Sequence, residues 1–330
     1  MPKGEYLQYG GMAILEGVMM RSPNHYAVAC RVPDGRIVVH EEPIKKNYAR
    51  TTLVKIPILR GMVALIDSMA LGIRAMNYSA DAQLKYEDPE KARDVPAKPV
   101  TWWSKLTERV AIAVAIATGL GMSFLLFQGS PVFIAQAFAP LGVTNYVALN
   151  IIEACLKACV FLGYLLAISR LSAVKALFQY HGAEHKAINC LENDLPLTIE
   201  NVRQQTRLHP RCGTSFMVIV MILSMITFTF VPRDFNTGSL ILNLLVRISI
   251  KIPVLPLLAG IAYEGIRFAG KMKNKRLLFF LFWPGLMTQY ITTQEPDEKH
   301  IEVALASLEE VVTAEDRGRE EVPEAAVATL

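Results

Sequence analysis

Apolar positions along the chain gather into four long blocks separated by polar stretches. Residues 110–127 and 213–231 contain no charged side chain. Each is about long enough to cross a bilayer core of roughly 30 Å as a helix. Residues 146–169 and 240–263 are comparably apolar but carry Glu153 and Lys157 in one and Arg247 and Lys251 in the other. Four spans is an even number, so both chain ends are expected on one side of the membrane. Basic residues test this, because Lys and Arg accumulate in cytoplasmic loops. Segment 128–145 has none and 232–239 has only Arg233, whereas 170–212 has six, 264–276 has five and 1–109 has sixteen. The pattern therefore predicts four spans with both termini cytoplasmic.

The charges within the spans carry a further expectation. Glu153 and Arg247 each lie seven residues in from the outer end of their segment, a depth of roughly 10 Å at the helical rise. Ionisable groups at that depth face a bundle interior or a wet cavity, so these two spans are expected to be neighbours, with Glu153 pairing Arg247 or Lys251. The alternative is that Pro253 and Pro256 break the fourth segment and leave both cations at the outer headgroups.

Outside these blocks the period changes. Residues 26–32 and 36–41 flank Pro33-Asp34-Gly35, a turn chemistry that predicts a hairpin, and 12–20 is a candidate third strand. Residues 53–73, interrupted by Lys55, Arg60 and Asp67, read as a helix lying on the membrane surface after Pro57. Residues 277–291 are too short to span and contain Pro284-Gly285, so they read as interfacial or re-entrant. Pro296 opens an amphipathic helix that aligns Ile301, Leu305, Leu308 and Val312.

The expected organisation is thus a cytoplasmic β-rich region with its surface helix at 1–85, then a charged linker at 86–109. A transmembrane bundle follows at 110–291, including a cytoplasmic His-rich loop at 170–212 and the interfacial segment at 277–291. A cytoplasmic helix at 292–312 and a disordered acidic tail at 313–330 complete the chain. The fold class is a membrane protein of about four transmembrane helices plus a small cytoplasmic α+β part.

Composition agrees. The 330 residues are 52% hydrophobic and 19% charged, below the roughly 25% charged of a soluble domain. Net charge is +4, yet residues 295–330 hold eleven acidic and three basic side chains. A basic membrane-facing body with an acidic tail accounts for the split without nucleic acid. Residues 1–20 have no uninterrupted apolar core, so a cleavable signal peptide is not expected. Five cysteines in a chain of this length point to reduced thiols or metal ligands rather than a disulfide framework.

The densest polar cluster is Tyr180-His181-Gly-Ala-Glu184-His185-Lys186. On a helix His181, Glu184 and His185 share one face, the H-x-x-E-H arrangement in which two imidazoles bind zinc and the carboxylate acts as base. His209-Pro-Arg211-Cys212 adds a second pair at metal-ligand spacing. The bland reading is a solvated helix with two surface histidines, and a buried thiol at a helix entry. A rival chemistry makes Cys212 a nucleophile, with His209 as base and Arg211 lowering its pKa; it leaves His181, Glu184 and His185 without a role. Glu264, after the fourth span, is a candidate further ligand or an arginine partner. Glu16, in an apolar strand, would need a cation if buried.

Gly10 to Arg21, Tyr180 to Lys186, His209 to Ser215, Tyr263-Glu264 and Thr292 to Asp297 together resemble the YqhQ-like family of bacterial membrane proteins of unknown function, sometimes labelled predicted metal-dependent enzymes. The resemblance implies the bacterial inner membrane. It covers about residues 8–312 and carries over Glu16, His181, Glu184, His185, His209, Cys212 and Glu264. The expected protein binds a divalent metal, zinc first, through His181 and His185 with His209, Cys212 or Glu264. Glu184 is the expected base of a hydrolase, with Glu16 and Arg211 in support. A non-enzymatic scaffold with a structural metal, bound to a membrane or cytoplasmic protein, is the alternative, and a transporter the third reading. The lipid bilayer is a partner in all three.

Overall fold

The computed structural model describes residues 9–44, 55–87, 102–269 and 275–320. It is mostly helical, with one four-stranded antiparallel sheet, and divides into two compact units.

The first unit comprises 1–89, 168–219 and 259–330. Its sheet is a meander of β1 (Gly10–Ile14), β2 (Gly17–Arg21), β3 (His25–Arg31) and β4 (Ile37–Pro43). The expected β3–β4 hairpin forms in register His25↔Pro43 to Arg31↔Ile37, with Gly35 at φ 90° in its loop. Residues 12–20 are not one strand. They turn at Leu15-Glu16 and pair back, Gly10↔Arg21 to Ile14↔Gly17, with Glu16 at φ 48°. That turn leaves Glu16 exposed, so it is not the buried strand carboxylate expected.

Alternation sends successive side chains of the sheet to opposite faces. Val18, Met20, Ala27 and Ala29 pack on Ala183 and Ala187 of a helix at Ser172–Glu192 and on Ile301 and Leu308 of a helix at Glu298–Glu320. Met19, Tyr26 and Val28 pack on Leu71 and Ala75 of α1 (Leu59–Glu87). Both faces of the sheet are therefore covered, and β2 and β3 are buried almost throughout.

The second unit comprises 90–167 and 220–258. Helix α2 (Trp102–Phe124) starts within the expected 86–109 linker and continues through a π-turn at Leu125–Gly129 into α3 (Ser130–Gln136). Much of the expected 128–145 loop is consequently helical. Helix α4 (Tyr146–Ile168) follows, then α5 (Ser172–Glu192), α6 (Ile199–Arg203), α7 (Gly213–Thr229), α8 (Leu240–Ala269), α9 (Lys275–Thr292) and α10 (Glu298–Glu320), with the unit boundaries falling inside α7 and α8.

Among the described residues, three helical stretches are long and apolar enough to cross a membrane: Ala113–Leu141, Tyr146–Ile168 and Leu242–Phe268. Gly213–Thr229 is apolar but has 17 residues. Pro253 and Pro256 do not break the last stretch; they lie inside α8. Arg247 and Lys251 both reach Glu153, at 3.1 and 3.5 Å, as the matched depths predict.

The 277–291 segment, expected to be interfacial or re-entrant, is part of a continuous helix, α9, with Pro284 inside it. One boundary is corrected. The C-terminal helix does not stop near residue 312. It runs to Glu320, because Ala314 is buried and Glu315 is held by Ser22 and Asn24. Residues 321–330 of the expected tail, and 88–101 of the expected linker, lie outside the described residues.

Candidate metal centre

Helix α5 presents two faces with different tasks. Ala183, Ala187 and Ile188 bury against the sheet, and their neighbours His181, Glu184 and His185 form the polar face. Small residues let the backbones approach closely. A Cβ on Gly11 would meet Glu184 Cγ at 2.7 Å and Met20 Sδ at 2.8 Å, and one on Gly182 would overlap the Gln294 carbonyl. Gly11, at the start of β1, thus makes room for the Glu184 side chain.

His181, His185 and Cys212 converge, and their ligand atoms all lie within 4.8 Å of one another. His181 Nε2 is 3.2 Å from Cys212 Sγ. The two rings are held from behind by backbone. His181 Nδ1 bonds the Thr292 carbonyl at 2.9 Å, and His185 Nδ1 bonds the Arg207 carbonyl at 2.6 Å. A carbonyl only accepts, so each Nδ1 carries the proton and, in the neutral ring, each Nε2 keeps a lone pair. This is how ligating histidines are usually oriented. Tetrahedral bonds of about 2.0 to 2.3 Å place neighbouring ligand atoms roughly 3.3 to 3.6 Å apart, close to the His181–Cys212 spacing. The residues present fit a divalent ion.

Electrostatics point the same way. Burial alone would raise the Cys212 thiol, but the imidazoles of His181 and His185, by charge and by hydrogen bond, hold it well below the usual thiol range. Burial alone would lower His181; the Cys212 sulfur beside it and then Glu184 push it up to about 9. Glu184 is buried, with Oε2 3.6 Å from His185 Nε2 and 4.0 Å from His181 Nε2.

Among the remaining sequence candidates, the His209 ring lies tilted 5.6 Å from that of His185, its Nε2 faces Glu192 Oε1 at 3.5 Å, and burial keeps it below its usual range. Arg211 pairs with Glu192. The imidazoles hydrogen-bonded to the thiol are those of His181 and His185, whereas the rival reading made His209 its base. Glu264 is held by Arg60 in a two-pronged pair at 2.6 and 2.5 Å and accepts from the Ile58 amide. Glu16 receives the Tyr180 hydroxyl at 3.3 Å.

Sequence reasoning missed the residues that hold the loop. Gln289 is fully buried; its Oε1 accepts from the His209 amide, and its Nε2 donates to the His209 carbonyl and to Ser215 Oγ. Asn189 donates to the Thr206 and Leu208 carbonyls, and Lys186 to Arg203 O and Glu295. Most of these are side chain to backbone bonds, and no spacing rule announces them. The Thr292 to Asp297 motif was visible, and its carbonyls prove to be its working atoms.

The family described as "Protein of unknown function (DUF1385)" matches residues 56–314. The chain is 35% identical over 308 residues to "Uncharacterized protein YqhQ" of Bacillus subtilis (strain 168), covering 93% of each. No solved structure matches.

Proposed function

The chain belongs to the DUF1385 family of proteins of unknown function, and from that premise we propose that it is an inner-membrane metalloprotein with a cytoplasm-facing hydrolytic centre. Four spans with both termini in the cytoplasm are supported by the three long apolar helices, by apolar α7, and by the basic loops on one side. At 17 residues, α7 is about 25 Å long. The exposed Ile66, Met69, Ile73 and Met76 form a stripe on α1 suited to lying on lipid.

One observation carries the metal reading: both histidines are fixed with Nε2 toward a low-pKa thiol. His181, His185 and Cys212 would hold a divalent ion, with zinc favoured by the nitrogen and sulfur donors. Three protein ligands leave a position open, as catalytic sites do. The ion would supply Lewis-acid activation of an oxygen in a hydrolysable bond. Glu184, buried beside both rings, would take a proton from water and return it to the leaving group. The Thr292 and Arg207 carbonyls keep the rings aimed while this happens.

The test is metal content of detergent-purified protein. Wild type is expected to hold about one divalent ion per chain, and His181→Ala, His185→Ala and Cys212→Ser to lose most of it. Glu184→Gln should keep the ion and lose the physiological role. Metal-free wild type, purified without chelators, would overturn the centre. Full complementation by Glu184→Gln would leave the ion structural and remove the enzyme reading.

A further inference from the structure

A second buried polar cluster lies in the other unit and does not depend on the metal centre. Glu153 of α4 is approached by Lys157 at 2.8 Å, Arg233 at 2.7 Å, Arg247 at 3.1 Å and Lys251 at 3.5 Å. Asn150 Oδ1 accepts from Arg233 and Arg247, and its Nδ2 donates to the Thr229 and Val231 carbonyls. Asp234 is exposed and occupied with Asn243 and the Asn236 amide. Four cations thus face one carboxylate, an excess of three positive charges in a site where an uncompensated charge is expensive.

Two further observations describe the surroundings of this carboxylate. Arg233 Nη1 and Arg247 Nε are buried with no hydrogen-bond partner, whereas buried N–H groups are almost always satisfied. Beside Lys157 and Lys251 is a cavity of about 30 Å³, also lined by Asn150, Glu153, Ser224 and Thr229. Each ammonium has three N–H donors, and Glu153 engages one from each. The cavity holds roughly two water-sized spheres, too little for phosphate, sulfate or a carboxylate ligand.

We propose that this cavity binds a small monovalent anion of chloride's size, held by the spare donors of Lys157 and Lys251. The two arginines approach the other oxygen of Glu153 and contribute through their field. One bound anion would lower the excess from three positive charges to two.

The test uses the full chain in detergent, in gluconate buffer free of halide. Replacing gluconate by chloride or bromide at fixed ionic strength should raise Tm by roughly 3 °C at about 0.3 M and then saturate; sulfate should not. Chloride should also show NMR line broadening that bromide competes away, a readout needing no variant. Lys251→Met should abolish the saturable response. If that variant does not fold, Lys157→Gln at the more exposed edge should weaken it at least severalfold. Equal Tm in chloride and gluconate, broadening that bromide does not displace, or an undiminished response in Lys157→Gln would overturn the site.

Discussion

The two buried polar clusters of this chain are built from opposite leftovers. Around His181, His185 and Cys212 each Nδ1–H is spent on a backbone carbonyl, and what converges on the centre is two Nε2 atoms and a thiol held well below its usual range. Around Glu153 the acceptors are spent, and what remains is N–H groups on four cations. The residual atoms, more than the residue types, indicate the sign of the partner each would take. A histidine cluster with its nitrogens bonded outward to water would signal nothing. A carboxylate matched by one cation would be an ordinary ion pair.

The sharpest way to break this comparison is to remove the hub of the cationic cluster. Glu153→Gln leaves Lys157, Arg233, Arg247 and Lys251 facing one another without a carboxylate. Breaking a buried pair in this way costs about 3 to 5 kcal/mol, so a large drop in the unfolding midpoint in detergent is expected. Chloride should restore more of that loss than gluconate does. A variant as stable as wild type would mean that the four charges are solvated and not buried together.

A smaller effect tests which imidazoles belong to the metal centre. Gln289→Leu removes three buried hydrogen bonds to His209 and Ser215, a loss of about 2 to 3 kcal/mol. If His181, His185 and Cys212 hold the ion alone, the variant should melt earlier yet keep its full metal content. Loss of metal in proportion to stability would bring His209 into the ligand set.

Much of this was legible in the sequence, for definite physical reasons. Helical period placed His181, Glu184 and His185 on one face, and matched depth paired Glu153 with Arg247 and Lys251. Both are local rules applied to regular elements. What stayed hidden depends on long-range packing. Glu16 reads as a strand residue because the Leu15-Glu16 turn has no glycine at its positive-φ position. The helix past residue 312 looks polar because its anchor, Glu315, finds its partners Ser22 and Asn24 nearly three hundred residues away. Arg233 looked like a lone loop charge, yet it reaches Glu153 from outside the regular helices. Backbone carbonyls, which fix the rings of His181 and His185, have no sequence signature at all.

Glu315 supplies the control that neither cluster can, a buried carboxylate whose partners are already in place. It accepts from Ser22 Oγ at 2.6 Å, Asn24 Nδ2 at 2.6 Å and the Asn24 amide at 3.3 Å. Burial opposes its charge, but these donors outweigh that and hold it below the usual carboxylate range. A carboxyl group whose folded pKa is depressed binds fewer protons than it does unfolded. Its stabilisation is therefore present above the unfolded value of about 4.3 and is lost as pH falls through the lower folded value. Glu315→Gln should cost roughly 1 to 2 kcal/mol near neutral pH. The gap to wild type should stay constant down to about pH 5 and narrow below it. It should not respond to halide or to chelators, because no donor or acceptor is left over for a ligand. A gap that widens with acid would mean that the carboxyl is protonated in the fold, and the hydrogen bonds from Ser22 and Asn24 would need a different account.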